Sequence, residues 1–290
     1  MKKFFGKNDS HKTIKKSLFS CKRGGLTIRG TEYRPEGENL PAAIVCHGFM
    51  AFQDTVRQYA KALAEMGYAS YCFDFCGGSV IKGKSDGDTT KMSVLTEVKD
   101  LEAVIEYVKS CSFVDGEKIL LMGCSQGGFV SALTAAKYKE KIENLVLFYP
   151  ALCIPDDARA GKMMFAKFDP ENIPDKLRCG PMALGRCYVE DVIHMDPFEE
   201  IKDYPGNVLI VHGTKDGIVN PRYSQNAYES YHEVRAEKGY KNKIILKFIE
   251  GAGHGFLKHQ DKTAIGYLKE FLVLKKQYSC FEKHSVRKCR

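Results

Sequence analysis

Ile119-Leu120-Leu121-Met122-Gly123-Cys124-Ser125-Gln126-Gly127-Gly128 is the stretch of this 290-residue chain whose reading decides the fold. A short apolar run, the mark of a buried strand, ends in Gly-x-Ser-x-Gly, and a helix from Gln126 to about Lys137 follows at once. Strand, sharp turn and helix are the context in which that pattern makes a nucleophile elbow. The turn drives Ser125 toward positive φ and lifts its hydroxyl above the sheet edge. Side chains at 123 and 127 would strike the neighbouring strand and helix, and glycine removes the clash. Ser125 therefore reads as a catalytic nucleophile.

A serine hydroxyl needs a base within hydrogen-bond reach. Gly251-Ala252-Gly253-His254-Gly255 follows the last apolar run, Ile244 to Phe248, and its glycines let the backbone swing His254 toward the serine. The imidazole in turn needs a carboxylate to fix its tautomer. Asp216, in the loop after the run Val208 to His212, is preferred; Asp156 and Asp157, after the run ending at Tyr149, are its rivals. Oxyanion donors are expected from the backbone N–H of Gln126, next to the nucleophile, and of Phe49 in His47-Gly48-Phe49. His47 and His212 read as structural hydrogen-bonders. A metal site from His47, His212, Asp216 and His254 fits no compact ligand spacing and is set aside; no cofactor is implied.

Around this centre, apolar runs alternate with amphipathic stretches, so the sheet is expected to be largely parallel and covered on both faces. A hairpin (Ser17 to Cys21, Leu26 to Tyr33) leads in, followed by strands at Ala42 to Cys46 and Ala69 to Phe73. A helix over Ser93 to Cys111 carries Val94, Val98, Leu101, Ile105 and Val108 on one stripe. Between Pro150 and Pro205 the periodicity lapses, and seven of the ten prolines gather there, which suggests an inserted cap with short elements of its own. The expected organisation is a basic disordered tail (1–15), a core in two parts (16–149 and 206–274), the cap (150–205) and a basic C-terminal tail (275–290). Residues 1–23 carry +7 and residues 275–290 +5 of the net +8, leaving the body at −4. That pattern argues against a nucleic-acid footprint on the folded face. No apolar run is long enough to span a bilayer, and the basic N-terminus lacks the apolar stretch of a secretory signal. Eleven cysteines without paired Cys-x-x-Cys spacing fit a reducing cytoplasm.

With these residues in place the chain resembles the α/β-hydrolases, and among them the cinnamoyl/feruloyl esterases. Phe73-Asp74-Phe75 with Ser85-Asp86-Gly87, Met92-Ser93-Val94-Leu95 and Asn172-Ile173-Pro174-Asp175 carry the finer likeness, which runs from about Leu26 to Leu274. The resemblance implies a mostly parallel eight-stranded sheet flanked by helices, with an inserted cap that helps to form the acyl pocket. It also implies that Asp157 and Tyr188 contact the ring hydroxyls of a hydroxycinnamate; an exposed Asp and a packing Tyr is the plainer reading of the same two residues. Phe165, Phe168, Met163, Met164, Met182 and Tyr188 would line the cap. Two departures stand out: Cys124, where the family commonly has histidine, and a longer loop from Cys76 to Lys84. The expected activity is hydrolysis of carboxylic esters through an acyl-enzyme, the partner a small-molecule ester, and a homodimer is compatible with the sequence. A serine peptidase or acyl-thioesterase on the same scaffold, or a binding protein that keeps only the fold, are the alternatives.

Overall fold

The computed structural model describes residues 13–79 and 83–285. Residues 1–12, which hold most of the expected N-terminal tail, residues 80–82 of the 76–84 loop, and residues 286–290 lie outside the described residues.

Eight strands form one sheet. They are β1 (Ile14–Arg23), β2 (Leu26–Pro35), β3 (Leu40–Cys46), β4 (Ala69–Asp74), β5 (Val114–Cys124), β6 (Ile142–Phe148), and, after the cap, β11 (Asn207–Gly213) and β12 (Ile244–Ile249). Their spatial order is β1-β2-β4-β3-β5-β6-β11-β12. The β1–β2 and β2–β4 pairs are antiparallel and the rest are parallel. The leading hairpin is longer than its apolar pattern suggests, because its added positions are mostly polar; backbone pairing holds them, and Lys22 Nζ donates across the ladder to Thr27 Oγ1 at 2.6 Å. It turns at Gly24, whose φ of 55° suits a residue without a Cβ.

The central strands read as unbroken apolar runs because both faces are covered. Along β3, Ala42, Ile44 and Cys46 pack on one side and Ala43 and Val45 on the other. Strands β5, β6 and β11 alternate in the same way, as the two-residue period of a strand requires. One face carries α2 (Val94–Ser110), α3 (Gln126–Tyr138) and α7 (Arg222–Lys238). The other carries α1 (Arg57–Glu65) and α8 (Lys258–Ser285). Ser93 caps α2 in a capping box with Thr96, a device worth about 1 kcal/mol. Helix α8 does not stop at Leu274; its backbone continues through the first eleven residues of the expected C-terminal tail. Among the described residues no helix is long and apolar enough to cross a membrane.

The 150–205 segment contains α4 (Ile154–Arg159), α5 (Cys187–Glu190), α6 (Pro197–Ile201) and two small antiparallel ladders. These are β7 (Lys162–Met163) with β8 (Ala166–Lys167), and β9 (Lys176–Cys179) with β10 (Met182–Gly185). Thr89 Oγ1 donates to the Ala183 carbonyl at 2.6 Å, which ties the second ladder to the loop before α2.

Candidate active site

The turn between β5 and α3 is fixed by what surrounds it. A Cβ on Gly123 would lie 2.0 Å from the Gly127 carbonyl oxygen, and one on Gly127 would lie 2.2 Å from that of His47. Both are backbone atoms that cannot step aside, so any larger residue at 123 or 127 must move the helix. Ser125 sits at φ 54°, ψ −123°, a conformation that costs on the order of 1–3 kcal/mol and needs support from its neighbours. That support is visible: Ser125 N–H donates to Phe148 at 3.0 Å, while its carbonyl accepts from Gly128 and Ala151, each at 2.9 Å, and from Phe129 at 3.2 Å.

The loop after β12 brings His254 over this turn, helped by Gly251 and Gly255 at φ near 70°. His254 Nε2 is 2.9 Å from Ser125 Oγ, and Nδ1 is 2.7 Å from Asp216 Oδ2. A carboxylate can only accept, so Nδ1 carries the hydrogen and the Nε2 lone pair faces the serine hydroxyl. That is the tautomer of a base. The Tyr149 ring meets the imidazole edge-on, centroids 4.9 Å apart.

Asp216 is held on every side. Its Oδ1 accepts from the N–H groups of Ile218 and Val219, each at 2.9 Å, and its Oδ2 is shared by His254 and His212, the latter at 3.1 Å. Burial pushes the carboxyl upward, but hydrogen bonds from His212, His254 and the Val219 N–H outweigh it and hold the group well below the usual carboxylate range. His212 Nε2 also faces the Val219 carbonyl at 3.1 Å; both neighbours accept, so Nε2 is protonated. Its Nδ1 is 2.6 Å from Ser224 Oγ. Asp156, the rival acid, instead pairs with Arg159 and Tyr223.

His47 is fully buried, and desolvation lowers its pKa. It is neutral, with Nδ1–H donating to the Gly48 carbonyl at 2.8 Å and Nε2 accepting from Phe75 N–H at 3.1 Å. These bonds set the 47–49 turn close to the serine: a Cβ on Gly48 would be 3.0 Å from Ser125 Cβ. Phe49 lines both cavities described below with Ser125, and Gln126 joins them in one. The Gln126 N–H opens α3, where a helix has no acceptor of its own for it. Cys124 is buried beside Ser125 at the wall of the cavity that His254 lines, and burial pushes its thiol up to about 12 against a hydrogen bond from Tyr149.

Two cavities meet at Ser125. One, of about 260 Å³, lies under the cap, with Ile154, Met163, Met164, Phe165, Ile218 and Val219 as its apolar wall. Asp157 and Tyr188 both line it, as does Lys162. Phe168 and Met182 do not; Met182 is buried in the cap interior. The other cavity, of about 230 Å³, opens on the opposite side, between Tyr59, Tyr149, His254 and Phe256. The sequence carries no pattern that marks Ile218 and Val219 as wall, although they directly follow Asp216-Gly217. It also hid a buried chain from Glu97 through Gln126 to Tyr188. The available signal was Glu97 itself, an acid set between Val94, Val98 and Leu101 on the apolar stripe of α2.

Comparison with known proteins agrees with this architecture. A family profile described as Hydrolase_4, serine aminopeptidase, S33, matches residues 38–180. The solved structure of Est1E from Butyrivibrio proteoclasticus with ferulic acid bound superposes with a TM-score of 0.76 at 28% identity, covering 88% of this chain and 99% of that one. A Mycoplasma pneumoniae protein provisionally named esterase/lipase 2 is 25% identical over 79% of this chain and 88% of its own. An uncharacterised 31.7 kDa Escherichia coli protein, from the traX-finO intergenic region, is 30% identical over 39% of this chain. That match takes in 38% of the relative's length, less than two thirds of it. Sheet order, elbow and these likenesses converge: the chain has the α/β-hydrolase fold, and esterases are among the proteins it resembles.

Proposed function

We propose that the protein is a serine carboxylesterase acting on hydroxycinnamate or similar aromatic and medium-chain acyl esters. The observation that carries this reading is the unbroken hydrogen-bonded line Ser125–His254–Asp216 at the junction of two cavities. Ser125 Oγ attacks the ester carbonyl as His254 Nε2 takes its proton, and the oxyanion forms against the N–H groups of Phe49 and Gln126. As the carbon–oxygen bond to the alcohol breaks, the His254 proton passes to the leaving oxygen. Water, losing a proton to the same nitrogen, then attacks the acyl-enzyme; the acid departs and Ser125 regains its hydrogen.

His254 lines only the 230 Å³ cavity, so the alcohol leaves on that side and the acyl group occupies the 260 Å³ cavity under the cap. The apolar wall of that cavity, with Asp157 and Tyr188 as polar points, suits an aromatic acyl group with a polar substituent. The likeness to Est1E, solved with ferulic acid, supports the same choice. The nine cysteines from Cys21 to Cys187 are free thiols, which suits a reducing cytoplasm.

The test is Ser125→Ala with p-nitrophenyl and methyl hydroxycinnamate esters. Turnover should fall on the order of 10⁶-fold, and a fluorophosphonate probe should label the wild type and not the variant. Hydrolysis by the variant at near wild-type rates removes the reading. The serine aminopeptidase profile over residues 38–180 favours one rival, cleavage of an amide through the same acyl-enzyme. Methyl ferulate, an acyl-thioester and an aminoacyl anilide compared at equal concentration separate them, with the oxygen ester expected to be fastest.

A further inference from the structure

Glu97 takes no part in the chemistry above, yet it is only 1% exposed in the first turn of α2. A carboxyl group removed from water needs a partner. Glu97 finds one in Gln126, whose Nε2 donates to Oε2 at 2.8 Å. The same nitrogen faces the Met92 sulfur at 3.8 Å, and a thioether can only accept. The NH₂ end of the amide therefore points at Glu97 and Met92, and its carbonyl end at the cap. Burial pushes the Glu97 carboxyl well above its ordinary range in spite of the Gln126 bond, and the acceptor for the amide is Oε2 in either state of the acid.

From the cap, the Tyr188 hydroxyl makes a short hydrogen bond to Gln126 Oε1. An amide oxygen cannot donate, so Tyr188 does. With its hydrogen spent, the tyrosine oxygen has only lone pairs to offer to a ligand in the cavity that Tyr188 and Gln126 line together. Three elements distant in sequence, α2, α3 and α5, thus set the polarity of one phenol.

We propose that Glu97 is a positioning residue for substrate selection: by holding the Gln126 amide in one orientation it keeps Tyr188 a hydrogen-bond acceptor, and the cavity then favours acyl groups that carry a hydroxyl or N–H donor. This rests on the reading of the 260 Å³ cavity as the acyl site. Without Glu97 the amide is free to turn over. Its nitrogen then donates to Tyr188, and the tyrosine hydrogen turns toward the cavity. A mere brace for the cap would affect every substrate alike, whereas a polarity device acts on donor-bearing ones.

Methyl p-coumarate and methyl cinnamate differ only in the ring hydroxyl and read this directly. For the full chain, kcat/KM is measured on both esters for wild type, Glu97→Leu, Glu97→Gln and Tyr188→Phe. The wild type should prefer the hydroxylated ester about tenfold, the worth of one well-formed hydrogen bond. Glu97→Leu and Tyr188→Phe should each cut that ratio at least about threefold. Glu97→Gln, whose amide oxygen replaces the carboxyl carbonyl, should keep it. Should Glu97→Leu not fold, Glu97→Met is measured in its place. An unchanged ratio in the apolar variant, including an equal loss on both esters, overturns the proposal, as does a lost ratio in Glu97→Gln. A wild type active on both esters but indifferent to the hydroxyl removes the proposal alone. A wild type inert on both removes the acyl-site reading with it.

Discussion

The sheet edge that presents Ser125 and the cap that covers it are built on opposite principles. At the edge, backbone meets backbone: a Cβ at 127 would come within 2.2 Å of the His47 oxygen, and nothing there can yield. In the cap, two-residue and four-residue strands carry large side chains, and Phe165 stands 75% exposed at the tip of one ladder. The first region tolerates almost no change of shape. Apart from Gly161 and Gly185, where a Cβ would likewise meet backbone, the second can be redrawn one side chain at a time. Errors at the edge should therefore appear as lost rate, and changes in the cap as altered choice of substrate.

The sharpest way to break that contrast is Asp216→Asn. If the edge works as a hydrogen-bonded unit, kcat should fall about 10⁴-fold with the fold intact, since an amide no longer fixes the His254 tautomer. A loss of only a few-fold by steady-state assay would mean that the carboxylate is ornamental. Gly127→Ala comes next. Displacing α3 from β3 by even about 1 Å should cost about 10²-fold in kcat, and a circular dichroism spectrum like that of wild type would assign the loss to geometry rather than unfolding.

Acid stability gives a smaller effect. The folded-state pKa of Asp216 lies below its unfolded value, so below about pH 4 the unfolded chain takes up the proton more readily, and stability falls with falling pH. The wild-type Tm should accordingly drop more than that of Asp216→Asn between pH 5 and 3, by a few degrees; parallel melting curves would rule the coupling out. Smallest of all is Phe165→Ser in the cap. KM for an aromatic ester should rise about threefold, with kcat unchanged and stability within about 0.5 kcal/mol of wild type. A large fall in kcat would blur the distinction between the two regions.

Legibility followed the same divide. The elbow, the loops bearing Asp216 and His254, and the covered strands could be read from the chain because each is a local pattern: glycines two residues either side of a serine, or an apolar run with a loop at its end. The expected Ser125, Asp216 and His254 do meet within hydrogen-bond distance. The cap was legible only as a loss of periodicity. Its ladders are too short for any period to register, and Phe168 and Met182 were expected to line a cavity that they do not reach. The Glu97–Gln126–Tyr188 chain was hidden for a different reason. Its links bridge 29 and 62 residues of sequence, and no local spacing encodes a partnership made only after three elements have packed. The far ends of β1, β2 and α8 likewise went unread, since polar strand positions and a charged helix extension look like loop until their backbones are paired.

Asp216 shares its Oδ2 between two imidazoles while two amides pin its Oδ1. A carboxylate so moored has no freedom to swing when His254 acquires a proton, and none to relax when that proton departs. The negative charge is already where the incoming positive charge will want it. Bulk water would have to rotate many dipoles to answer the same event, so reorganisation energy that a solvated acid would spend on each of two proton transfers is settled once, during folding.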